Sequence, residues 1–180
     1  MEEGYLHLIL GPMFSGKTTE IVRLYNNYSK INKKILVINY KEDNRYHDTL
    51  LSTHDKVMIP SVNLVKLGEL DECQVDTYDV ILINEGQFFE DLVTNVLHYV
   101  EKMNKRVYIC GLDGDFRRKK FGSILDLIPY CDEIAKLKAF CAICKNGKNG
   151  LFSKRIIQDE NQIVIGNDIY IPVCRGCYVK

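Results

Sequence analysis

One stretch near the N-terminus constrains the fold more than any other. An apolar run at residues 5–10 (YLHLIL) leads directly into Gly11-Pro12-Met13-Phe14-Ser15-Gly16-Lys17-Thr18, which satisfies GxxxxGK[ST]. Ile21, Leu24, Tyr25 and Tyr28 then recur at i, i+3, i+4 and i+7, predicting a helix from Thr18 to Ser29. Strand, glycine loop and helix are the three parts that a phosphate cradle needs. The glycines let the loop curl so that successive N–H groups face an anion. The lysine reaches the β/γ-phosphate oxygens, the threonine hydroxyl is placed to ligate Mg²⁺, and the helix adds its positive end. Residues 11–18 are therefore read as a nucleoside triphosphate site.

The chain continues in the same style. KILVINY (34–40), VILIN (80–84) and RVYICGL (106–112) read as further strands. Phe88, Leu92, Val96, Val100 and Met103 place a helix before the last of them, and residues 43–56, which show no clear period, read as a polar loop. Strands alternating with helices imply an α/β domain with a parallel, Rossmann-like sheet and right-handed crossovers, extending to about residue 138. With 180 residues and 46% apolar composition, there is enough material for a core of that kind. Residues 139–180 change character: two CxxC pairs, a Lys/Asn/Gly-rich turn and short apolar runs predict a small β-rich module.

Composition narrows the function classes. The 24 basic and 24 acidic residues cancel, which argues against nucleic-acid binding through overall basicity. No apolar stretch approaches the roughly 18 residues of a membrane span, and the start Met-Glu-Glu-Gly lacks a secretory signal, so a cytoplasmic, membrane-free protein is expected. Of the seven cysteines, Cys141, Cys144, Cys174 and Cys177 are paired for a tetrahedral structural Zn²⁺, with redox-active pairs or plain buried thiols as alternatives. Cys73, Cys110 and Cys131 read as apolar filler. Glu85 follows an apolar strand, where α/β sheets bind ligands. It is a candidate proton acceptor or, alternatively, an acid stabilising the helix that follows.

GPMFSGKT, DNRY (43–46), THD (53–55), NEGQFF (84–89), LDGDF (112–116), FSKR (152–155) and the two CxxC pairs occur in one order along the whole chain. As an ordered set they resemble the type II thymidine kinases, the cellular-cytosolic and large-DNA-virus group. The resemblance implies transfer of the ATP γ-phosphoryl group to the 5′-hydroxyl of thymidine, and also of deoxyuridine, with Mg²⁺ as catalytic metal and Zn²⁺ as structural metal. It makes Glu85 the proton acceptor, Lys17 and Arg45 catalytic, and residues 11–18 with Asp43 the ATP contacts. Met13, Leu112, Phe116 and Phe121 become pocket walls. Asn161, Gln162, Ile163, Val164, Ile165, Gly166 and Tyr170 become the lasso loop that closes over the base, and the assembly a homotetramer. Without the resemblance, Phe116 reads as core, Tyr170 as a strand residue, and Arg117-Arg118-Lys119-Lys120 as a solvated face or weak polyanion patch.

Three positions depart from that family's pattern. Asn84 stands where an Asp normally helps hold Mg²⁺, Asp115 where Thr is frequent, and Lys120 where Pro is frequent. The competing function is a P-loop NTPase switch that grips nucleic acid or protein with its zinc module. Neutral charge and the lack of interleaved aromatic and basic residues weigh against it.

Overall fold

The computed structural model describes residues 3–41, 50–52, 58–164, 166 and 169–180. In chain order the elements are β1 (Tyr5–Leu10), α1 (Lys17–Lys30), β2 (Ile35–Tyr40), β3 (Leu50–Ser52), β4 (Met58–Pro60), β5 (Val62–Leu64), α2 (Glu72–Asp76), β6 (Val80–Ile83), α3 (Leu92–Leu97), β7 (Arg106–Gly111) and β8 (Glu133–Lys136). After these come β9 (Ala139–Phe140), β10 (Asn149–Gly150), β11 (Phe152–Arg155), β12 (Tyr170–Val173) and α4 (Arg175–Val179).

Six strands form one sheet in the order β5-β2-β6-β7-β1-β8, and every pairing within it is parallel. The expected α/β class is therefore observed. Strand β6 shows why the sheet sits between two layers: Val80, Ile81, Leu82 and Ile83 are all fully buried. Alternate side chains point to opposite faces, so Ile81 and Ile83 join one core cluster with Leu92 and Val96 of α3. Val80 and Leu82 join the other, with Ile21, Val22 and Leu24 of α1. Helices on both faces explain why these strands read as unbroken apolar runs rather than alternating ones.

Several expected boundaries move. The second helix begins at Leu92 and continues as a π turn over His98–Lys102, while Phe88 lies in a separate 3-10 turn, Gly86–Phe88. Leu50–Ser52, inside the expected polar loop, pairs antiparallel with Met58–Pro60. Two sheet strands, β5 and β8, carried no clear sequence signal. One has three residues, and the other (EIAK) lies at the sheet edge and is mostly exposed. Beyond the sheet, β9 with β10 and β11 with β12 form two small antiparallel ribbons ahead of α4.

Candidate active site

Strands β1, β2, β6 and β7 run parallel, so their carboxyl ends lie together, and the chain leaves them through Gly11, Lys41, Asn84 and Leu112 respectively. At the end of β1 the phosphate-loop sequence curls over the start of α1. Gly11 is confined by its neighbours: a Cβ there would sit 2.8 Å from the Leu137 carbonyl oxygen and 2.8 Å from Ser15 Oγ. Gly16, at φ 86°, occupies the left-handed region immediately before the helix, a conformation that suits glycine. The first N–H groups of α1 have no intrahelical acceptor. Lys17 is buried at 8% exposure and donates to the Pro12 carbonyl at 2.8 Å. Ser15 Oγ is buried without a hydrogen-bond partner among the described residues. An orphaned hydroxyl beside a helix N-terminus is what an oxyanion would complete.

At the end of β6, Glu85 adopts φ 55° and ψ 43°. This left-handed turn stops the strand abruptly and leaves the residue on the wall of a cavity of about 580 Å³ that it shares with the loop. Gln87, buried at 3% exposure, donates from Nε2 to Glu85 Oε2 at 2.7 Å and accepts at Oε1 from the Leu112 N–H at 3.0 Å. The amide therefore ties the carboxylate to the end of β7. Asn84 is held just as firmly: Nδ2 donates to Asn39 Oδ1 at 2.8 Å, and Oδ1 accepts from the Cys110 thiol at 2.9 Å. Burial pushes that thiol up to about 12, so it remains a neutral donor.

The cavity brings together Met13, Phe14, Ser15, Gly16, Lys17 and Thr18 with Glu85, Leu112, Phe116, Phe121, Gln162, Ile163, Val164, Gly166 and Tyr170. Gly11, Pro12 and Asn161 do not line it. Pro12 instead accepts from Lys17 Nζ at its carbonyl, and Asn161 turns its carbonyl toward Arg155. Asp43, Arg45 and Ile165 lie outside the described residues. Part of the cavity wall is aromatic: Tyr40 stacks on Phe88 (5.1 Å between centroids), and Phe88 meets Phe121 edge-on at 5.4 Å.

Some cavity residues were not singled out from the sequence: Asn39, Tyr40, Gln87, Phe88 and Ser153. A polar Asn39 near the end of the apolar run KILVINY was the available signal. Ser153, which accepts from the Met13 N–H at 3.0 Å, has no local signal because its partner is 140 residues away. The basic run 117–120 is exposed, as the solvated-face reading expects, and its side chains also make local contacts. The Arg118 guanidinium lies 4.2 Å from the Tyr178 ring centroid, and Lys120 pairs with Asp126 at 2.6 Å.

Away from the cavity, the thiols of Cys141, Cys144, Cys174 and Cys177 all lie within 4.8 Å of one another. Cys144 Sγ is 3.7 Å from Cys174 Sγ and 3.3 Å from Cys177 Sγ. A tetrahedral site with Zn–S bonds near 2.3 Å requires sulfurs about 3.8 Å apart, so the four thiols fit that metal. The Cys144 N–H lowers Cys141 to about 6 and the Cys177 N–H likewise lowers Cys174, whereas Cys144 is raised and the hydrogen bond with the Cys144 thiol pushes Cys177 up to about 12.

A family model described as "Thymidine kinase" matches residues 4–178. The chain is 44% identical over 180 residues to "Thymidine kinase 1" of Dictyostelium discoideum, covering 97% of this chain and 78% of that protein. It is 43% identical over 178 residues to "Thymidine kinase" of Yaba monkey tumor virus (98% and 96% covered). It is also 44% identical over 183 residues to "Thymidine kinase" of vaccinia virus strain Ankara, with 99% of each chain covered.

Proposed function

The chain belongs to the thymidine kinase family, and from that premise we propose that it moves the γ-phosphoryl group of ATP to the 5′-hydroxyl of thymidine, giving dTMP and ADP. The observation that carries this reading is the single cavity in which a phosphate loop faces a carboxylate and an aromatic wall. Phosphoryl transfer proceeds through a loose transition state, so the protein's task is positioning and charge stabilisation. The loop of residues 11–18, with the N–H groups at the start of α1, binds the phosphates, and Lys17 neutralises charge on the transferring group. Glu85, held by Gln87, accepts the 5′-hydroxyl proton. Met13, Leu112, Phe116, Phe121, residues 162–164, Gly166 and Tyr170 enclose the nucleoside. Arg45 and Asp43, outside the described residues, are assigned to the phosphates on the resemblance alone.

Two metals fit the reading. Thr18 and, through water, Asn84 would hold Mg²⁺, which supplies charge neutralisation at the β/γ-phosphates. The four clustered cysteines would hold Zn²⁺, whose closed tetrahedral set leaves it structural. None of the described helices is long and apolar enough to cross a membrane. A cytoplasmic homotetramer that also accepts deoxyuridine completes the proposal.

The test is ADP release from Mg-ATP, alone and with each deoxynucleoside or with DNA. Stimulation by thymidine supports the kinase. Stimulation by DNA but not by nucleosides would favour an NTPase switch instead.

A further inference from the structure

Residues 159–164 contribute Gln162, Ile163 and Val164 to the cavity wall, yet none of the six lies in a helix or strand. A wall without secondary structure must draw its shape from side chains. One side chain supplies most of it. Arg155, on β11 and only 8% exposed, donates from Nη1 to the carbonyls of Asp159 (2.8 Å) and Asn161 (2.6 Å). Its Nη2 donates to the Gln162 carbonyl (3.1 Å), and Nε donates to the Tyr170 hydroxyl (3.2 Å). That hydroxyl passes its own proton on to the Val164 carbonyl at 3.2 Å. The guanidinium lies 3.7 Å from the centroid of the Phe116 ring and 5.1 Å from that of Tyr170.

The chemistry of this arrangement is unusual. The hydrogen-bond partners of Arg155 among the described residues are all neutral: three carbonyls and a phenol. A buried cation without a carboxylate is costly, and the cost is offset only when its donors are filled. Those acceptors are a loop's backbone and a cavity side chain, so the loop takes its shape around the guanidinium. Arg155 does not itself line the cavity; Phe116, Gln162, Val164 and Tyr170, which it joins, all do. A second tie runs in parallel: Asp115 accepts from Gln162 Nε2 at 2.9 Å and from the N–H groups of Arg117 and Lys119.

We propose that Arg155 is the positioning residue of the nucleoside subsite, assembling the 159–164 wall, Tyr170 and Phe116 into one preformed surface. The inference rests on the thymidine kinase reading. Lysine keeps the charge but loses the planar fork and the flat face that stacks on Phe116, so it cannot hold the same set.

The experiment compares wild type with Arg155→Lys by steady-state kinetics for both substrates, and by hydrogen exchange of the substrate-free proteins. If the competent wall falls to a tenth of its population, KM for thymidine rises about tenfold, while KM for ATP and kcat stay within about twofold to threefold. Amide exchange should accelerate across 159–164 and remain unchanged in β6 and β7. An unchanged KM for thymidine, or a parallel rise in both KM values with faster exchange throughout the sheet, would overturn the proposal. Should wild type fail to phosphorylate thymidine, the kinase reading falls separately. Exchange then decides alone: acceleration confined to 159–164 supports the positioning role, and unchanged exchange removes it.

Discussion

Two neighbouring residues at the tip of β6 carry opposite demands. Glu85 must be charged and reachable, and Asn84 must be neutral and satisfied. Glu85 lines the cavity and is oriented by the Gln87 amide. Glu85→Gln preserves shape and removes the base, so kcat should fall by about 10²–10⁴-fold while KM for ATP and thymidine changes little. Steady-state kinetics on the purified variant checks this, and near-wild-type turnover would remove Glu85 from the role. Asn84 bridges Asn39 and Cys110, both on other strands. Asn84→Asp would keep the thiol donor, require Asn39 to turn its NH₂ toward the new carboxylate, and add one negative charge beside the phosphate loop. Apparent Mg²⁺ affinity should therefore rise in a direct Mg²⁺ titration. No change, or weaker binding, would show that the side chain lies beyond the influence of the metal.

Among the elements, strand β11 does the most linking: it presents Ser153 to the phosphate loop and Arg155 to the 159–164 wall, and Lys154 Nζ reaches the Cys177 carbonyl at 2.9 Å. The cysteine cluster is thus wired to the cavity through one short strand. Cys144→Ser and Cys177→Ser should each lose about one zinc per chain by elemental analysis and melt at lower temperature, because metal binding and local folding are coupled. Freshly reduced wild type that contains no zinc would contradict the assignment. The elements also show what a sequence can display. The glycine loop, β6 with Glu85, and the CxxC pairs were legible because each is a local pattern. Strands β5 and β8 were not, since three residues or an exposed edge strand leave no periodicity to read. Arg155 and Ser153 were visible only as letters in FSKR. Their meaning depends on partners brought in by the fold, and for Ser153 that partner is 140 residues distant. Asp43 and Arg45 remain expectations of the resemblance.

At the scale of the whole molecule, the two-faced core sets how stability responds to pH. Burial pushes Cys110 from 9.0 up to about 12, and burial also pushes Tyr99 from 10.0 up to about 12. Both pKa values are raised in the native state, so the stability they contribute is fully present below pH 9 and is lost as pH climbs toward 12. Above pH 9 the unfolded chain releases the Cys110 proton first, costing about 1.4 kcal/mol of stability per pH unit from that group alone. Urea unfolding at several pH values between 8 and 11 should show a flat contribution and then a decline; stability rising over that interval would contradict it. Phosphoryl transfer within a cavity that joins a phosphate loop to a nucleoside wall can be followed through the label of γ-³²P-ATP. With thymidine present, label should enter dTMP at the rate of ADP release, and Glu85→Gln should lose most of both. Label appearing only as inorganic phosphate, at a rate indifferent to thymidine, would contradict it.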